Sequence, residues 1–225
     1  MKKNIVIAAA QERFNTLIPL LRDIEGVSVH RINFQTELNV ALLSSLQPDY
    51  IFFPQWNRII PEEIFANFNC VMFHMTDLPF GRGGSPLQNL IVRGYRETML
   101  SAFKCDGGID SGPVYLKRPL SLDGTAEEIF ERAIPVISDM IREIVESDPV
   151  PVQQQGEVTR FKRRKPEDGD IANLATVPDV YDYIRMLDAK GYPSAFLETD
   201  ALKFDFSKAV LNNDEVIAEV KIKRK

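Results

Sequence analysis

The segment Cys70-Val71-Met72-Phe73-His74-Met75-Thr76-Asp77-Leu78-Pro79-Phe80-Gly81-Arg82-Gly83-Gly84-Ser85-Pro86 decides how the chain is read. Cys70–Phe73 is a short unbroken apolar run, as expected of a strand covered on both faces. A loop from His74 to Ser85 follows. Pro86–Arg93 then reads as a helix, with Pro in its first turn and Gly94 as its stop. Upstream, Ile5–Ala10 and Tyr50–Phe53 are similar runs. Helical patterns lie between them: Phe14, Leu17, Ile18, Leu21 and Ile24 at 3–4 spacing, Leu38–Leu46 before Pro48, and Pro61–Phe68. Val27–Ile32 alternates as a strand. This alternation predicts a Rossmann-like, open, mainly parallel sheet with helices on both faces.

Downstream, Thr98–Lys104 and Pro113–Lys117 read as strands flanking the turn Asp106–Gly112. A long helix runs from about Thr125 to Ser147, opened by the capping box Thr125-Ala126-Glu127-Glu128. After Pro149 and Pro151 the composition changes. Arg160–Lys165 is basic, Val180–Leu187 is a short helix, and Phe196–Leu197, Leu202–Phe206 and Val216–Ile222 read as strands. The expected organisation is residues 1–150 as the main domain and 151–225 as a linker, helix and small α+β appendage.

Composition narrows the function classes. The 225 residues are 44% hydrophobic and 26% charged, which excludes disorder and a disulfide scaffold. The net charge of −5 argues against general nucleic-acid binding. Two cysteines and two histidines lack zinc spacing, so no metal is expected. Ile5–Ala10 ends at once in Gln11-Glu12-Arg13, too short for a signal core, so a buried first strand and a cytoplasmic location are expected.

In open α/β sheets, ligands bind at the carboxyl ends of strands. Three loops qualify: 54–60, 74–85 and 106–113. His74 ends a strand, where an imidazole can take a proton or stabilise an oxyanion. Taken alone, it is more often a histidine that holds its loop. Gly81–Ser85 before a helix suits an anion or merely close backbone packing. Asp106 and Asp110 flank two glycines, and one of them serves the turn. Trp56 beside Arg58 suits either core packing or a flat heteroaromatic ligand.

Together these loops resemble the N10-formyltetrahydrofolate-dependent formyltransferases, which act on glycinamide ribonucleotide, methionyl-tRNA or nucleotide sugars. The family loop reads roughly Asn-x-His-x-Ser-Leu-Leu-Pro-x-x-Arg-Gly-x-x-Pro. This chain matches it at His74, Leu78, Pro79, Arg82, Gly83 and Pro86, with Thr76 for the serine. Asp110-Ser111-Gly112-Pro113 matches the family's Asp-x-Gly-Pro, and Asn57–Ile60 resembles the pterin loop. The segments 163–168 and 184–196 resemble the part following the catalytic domain in methionyl-tRNA and sugar formyltransferases.

The resemblance implies His74 and Asp110 as catalytic residues. It implies Trp56, Asn57, Arg58, Ile59, Ile60, Asp106, Gly107, Gly108 and Ile109 against the folate, and Thr76, Arg82, Gly83 and Gln88 against the substrate. N10-formyltetrahydrofolate is the implied co-substrate. One departure stands out: the family asparagine two residues before the histidine, which donates to the formyl oxygen, is Met72 here. The expected acceptor is the amine of a nucleotide-linked amino sugar, with nucleic acid an unlikely partner and a homodimer allowed. The alternatives are a methionyl-tRNA formyltransferase, for which the tail is short and the charge acidic, and a folate-binding homologue with impaired catalysis.

Overall fold

Three apolar runs and the alternating segment Val27–Ile32 become strands in the computed structural model, which describes residues 2–225. They are β1 (Lys3–Ala8), β2 (Val27–Ile32), β3 (Tyr50–Phe53) and β4 (Cys70–His74). β1 pairs in parallel with β2 on one side and β3 on the other, and β3 pairs in parallel with β4. Ile5 to Ala8 and Ile51 to Phe53 are wholly buried, which is why their sequence shows no polar alternation. Parallel neighbours require crossovers. These carry α1 (Leu17–Arg22), α2 (Val40–Leu46) and the one-turn α3 (Glu62–Phe65). α2 starts where Asn39 Oδ1 accepts the Leu42 N–H at 2.9 Å.

The helix expected around Phe14–Ile24 is shorter. Glu12–Thr16 is a 3-10 turn, and α1 occupies only Leu17–Arg22. Both forms keep the apolar spacing, so the pattern alone does not separate them.

After β4 come β5 (Arg82–Gly83), α4 (Pro86–Ile91), β6 (Glu97–Lys104), β7 (Val114–Ser121) and α5 (Ala126–Ser147). β6 runs antiparallel to β4, and the six-stranded order is β2-β1-β3-β4-β6-β7. The capping box of α5 is present: Thr125 N–H donates to Glu128 Oε2 at 2.7 Å, and Glu128 N–H to Thr125 Oγ1 at 3.3 Å. Later elements are β8 (Arg160–Phe161), α6 (Val177–Arg185), β9 (Ala195–Glu198), β10 (Leu202–Asn212) and β11 (Glu215–Arg224). The last three form an antiparallel sheet, β11-β10-β9. The mainly parallel sheet with a small C-terminal sheet agrees with the sequence reading.

The chain forms two compact units that interleave along the sequence. The first comprises Met1–Gly83, Met99–Leu120 and Glu131–Arg160; the second comprises Gly84–Thr98, Ser121–Phe130 and Phe161–Lys225. In the second unit Arg185 is 1% exposed. It donates to Asp182 Oδ1 at 2.6 Å and to the carbonyls of Leu122 at 2.6 Å and Gly124 at 2.9 Å.

Candidate functional site

In the first unit the chain goes out from β1 to β2 and returns to β3, so the sheet's switch point lies between β1 and β3. The loops after β3 and β4 leave from the carboxyl ends beside it, where such folds place their chemistry. His74 is the last residue of β4 and is 8% exposed. Its Nε2 lies 2.9 Å from the Gly81 carbonyl oxygen. A carbonyl only accepts, so Nε2 carries the hydrogen and Nδ1 of the neutral ring holds the lone pair. Nδ1 lies 3.7 Å from Asp110 Oδ2. That is longer than a hydrogen bond but close enough for a carboxylate to stabilise the ring once Nδ1 gains a proton.

Asp110 is held from several directions. Its Oδ2 accepts the Gly83 N–H at 2.8 Å, and its backbone sits at φ 49°. Gln154 Nε2 donates to the carbonyls of Asp110 at 2.9 Å and Gly112 at 2.8 Å. Gln154 Oε1 in turn accepts from Arg82 Nε at 3.1 Å and Nη2 at 2.8 Å. A Cβ at Gly112 would stand 1.7 Å from the Lys104 carbonyl oxygen, so only glycine fits there. Gln154 is the part of the site that sequence reasoning missed. It lies in the polar run Gln153–Gln155, and no local pattern links it to Arg82 or Asp110. Thr159 is a second missed support, its Oγ1 accepting the Gly81 N–H at 2.7 Å.

The other expected site residues divide. Asn57, Arg58 and Ile59 are exposed, Ile59 by 91%, whereas the Ile60 side chain is core. Trp56 packs edge-on to Phe53, and its buried Nε1 has no partner among the described residues. Thr76 is wholly buried with its Oγ1 likewise unpartnered, which takes its side chain away from any open surface. Asp106 Oδ1 accepts from Gly108 N–H at 3.0 Å and Ser111 Oγ at 2.9 Å, so it ties the turn that Gly107 opens at φ +86°. Ile109 on that turn is exposed. Gln88 lies on α4 in the second unit, where its amide donates to the Met186 carbonyl at 3.1 Å. That donor is already committed.

Burial pushes the Cys70 thiol up to about 12 and that of Cys105 up as well, so neither is a nucleophile. No group of three or more His, Cys, Asp or Glu among the described residues is placed to hold a metal ion.

These contacts predict that Asp110→Ala lowers turnover by at least about 10²-fold, the usual scale of an acid–base partner. Asp106→Ala loses only turn bonds and costs about 1 kcal/mol in a melt, with a smaller effect on rate. The reverse ranking in steady-state kinetics would assign the role to Asp106. Met72 shares the His74 face of β4 by strand alternation and packs against the cluster of Val6, Phe53 and Cys70. Met72→Asn therefore buries an amide in apolar surroundings. It is expected to lower stability by about 1–3 kcal/mol with no gain in turnover. A several-fold faster variant with an unchanged melting temperature would contradict this.

Comparisons with known proteins identify the family. A family model described as formyl transferase matches residues 8–134, and one described as methionyl-tRNA formyltransferase, C-terminal domain, matches residues 166–223. A solved methionyl-tRNA formyltransferase from Clostridium thermocellum is 47% identical, with a TM-score of 0.96 over 99% of this chain and 100% of that one. The methionyl-tRNA formyltransferase of Sorangium cellulosum is 32% identical over 154 residues, 64% of this chain and 49% of the relative. The chain spans about half the length of the curated relatives it matches. A sugar N-formyltransferase from Shewanella covers 97% of both chains at a TM-score of 0.68, but at 13% identity this shows the fold alone.

These findings overturn the expected nucleotide-sugar acceptor and the expectation that nucleic acid is an unlikely partner. The short tail was weighed against a tRNA substrate, yet residues 166–223 match the methionyl-tRNA formyltransferase C-terminal model. Net charge averages over local patches: Lys162, Arg163 and Lys165 are exposed side by side in this acidic chain. No helix among the described residues is long and apolar enough to cross a membrane. The chain belongs to the formyl transferase family.

Proposed function

We propose that the protein transfers a formyl group from N10-formyltetrahydrofolate to the amino group of methionyl-tRNA in the cytoplasm. The observation that carries the chemistry is His74 set between the Gly81 carbonyl and the Asp110 carboxylate. The choice of acceptor is supported by the 47% likeness to the Clostridium thermocellum methionyl-tRNA formyltransferase along its whole length.

The folate supplies the formyl carbon, and its flat ring suits the loop after β3. The exposed stretch Asn57–Ile59, following the half-buried Trp56, supplies backbone groups for it. His74 Nδ1 takes the proton that the acceptor amine loses as it attacks the formyl carbon. The resulting imidazolium is stabilised by Asp110 on one side and by the Gly81 carbonyl on the other. His74 then returns the proton to the departing folate nitrogen. Arg82, braced by Gln154, keeps Gly83 in register so that its N–H holds Asp110.

The test is a formylation assay with purified protein, N10-formyltetrahydrofolate and charged initiator methionyl-tRNA, read by mass spectrometry of the released amino acid. Formylmethionine is expected. Its absence, with the folate intact, would overturn the reading.

A further inference from the structure

A cavity of about 420 Å³ opens in the first unit at the end of the sheet remote from His74. Lys3 begins β1 there, Asp49 precedes β3, and Lys104 ends β6. β4 runs from this end to His74, a span of about 13 Å at the usual rise. The cavity therefore lies outside the site described above, and nothing in that chemistry uses it.

Its lining mixes charge in an unusual way. Lys3, Lys104, Asp49 and Asp148 all face it, beside the rings of Phe65 and Phe68. Three of these charges are engaged. Lys3 Nζ donates to the Val145 carbonyl at 2.5 Å, and Asp49 Oδ2 accepts the Asn4 N–H at 2.7 Å. Asp148 accepts the Tyr50 hydroxyl. The Lys104 ammonium has no hydrogen-bond or ion-pair partner among the described residues. A purely anionic ligand would meet two carboxylates, and a purely cationic one two ammonium groups. A small molecule carrying both charges removes the conflict, and the rings offer an apolar wall for the rest of it.

We propose that this cavity binds a zwitterion of the free α-amino-acid class. Its carboxylate lies at Lys104, its ammonium at Asp49 and Asp148, and its side chain against Phe65 and Phe68. The same lining residues support the turn that carries Asp110. The Lys104 N–H donates to the Pro113 carbonyl at 2.9 Å, and the Lys104 carbonyl is what Gly112 approaches. A Cβ on Gly107 would lie 3.1 Å from the Phe65 ring. An occupant thus touches side chains whose neighbours fix the catalytic carboxylate.

The experiment is calorimetric titration of the 225-residue protein with the twenty free L-α-amino acids, so its readout does not depend on formyl transfer. At least one is expected to bind with a Kd below about 1 mM. Its amine-free and carboxylate-free analogues should bind at least about tenfold more weakly, since each loses a charged contact. Lys104→Met should weaken binding about tenfold or more. Asp49→Asn, which keeps an acceptor for the Asn4 N–H, should do likewise and serves if Lys104→Met does not fold. His74→Asn should bind as wild type. The proposal fails if no amino acid binds below about 1 mM or if the single-charge analogues bind equally well. It also fails if a folded Lys104→Met or Asp49→Asn retains wild-type affinity, or if His74→Asn abolishes binding.

Discussion

His74→Asn is expected to lower turnover by about 10²–10⁴-fold, the range for loss of a general base. The asparagine amide is too short to reach the Gly81 carbonyl that His74 Nε2 now meets at 2.9 Å, so one loop contact is lost, at a cost of about 1 kcal/mol. Its amide oxygen can stand near the Nδ1 position that faces Asp110, but an amide is far too weak a base to take the amine proton. Rate and stability should therefore separate: the melting temperature changes little while single-turnover formyl transfer collapses. A double variant with Asp110→Ala adds a sharper check. If Asp110 acts only on a protonated His74, the two losses should fall well short of additive. Full additivity would mean that Asp110 works independently of the imidazole.

Arg185→Met should have the largest effect on stability, about 3–5 kcal/mol. Methionine fills much of the volume but leaves the Asp182 carboxylate buried with one fewer cation. It also strips the Leu122 and Gly124 carbonyls of their donor. Arg96 approaches Asp182 only to 3.4 Å and from a more exposed position, so it compensates in part. The choice of probe matters here. The single tryptophan, Trp56, lies in the first unit, so its fluorescence does not report the second. Hydrogen exchange of α6 and β9 amides is the proper measurement, and unchanged protection there would refute the prediction.

The strands of the large sheet were legible because double-sided burial leaves an unmistakable run, as in Ile51–Phe53. The long α5 announced itself by its capping box. β5 did not, since two residues carry no period and its partner lies far along the chain: the Arg82 N–H donates to the Thr159 carbonyl at 3.1 Å. The same distance in sequence hid Gln154. The resemblance pairs His74 with Asp110, and ranks Asp110 above Asp106, only through the Asp-x-Gly-Pro match; without it, composition and turn chemistry treat the two aspartates alike. The structure separates the two: Asp106 binds its own turn, and Asp110 reaches across to Gly83 and His74. The acceptor was misread because a short tail and an acidic net charge were both held against tRNA, and neither carries information about the acceptor.

The interleaving of the two units also governs how the protein is made. Synthesis proceeds from the N-terminus, and the first unit is not complete until Arg160 has left the ribosome. Gly84–Thr98 emerges early but belongs to a unit whose main part, Phe161–Lys225, comes last. Its apolar residues Leu87, Leu90 and Ile91, all buried in the finished protein, belong to a unit that gains Ser121–Phe130 next and is completed only when Phe161–Lys225 follows. During that interval the nascent chain offers an uncovered sticky helix, the kind of segment that holding chaperones retain. A gene cut near codon 150 makes the exposure permanent, so such fragments belong in inclusion bodies rather than in the soluble fraction.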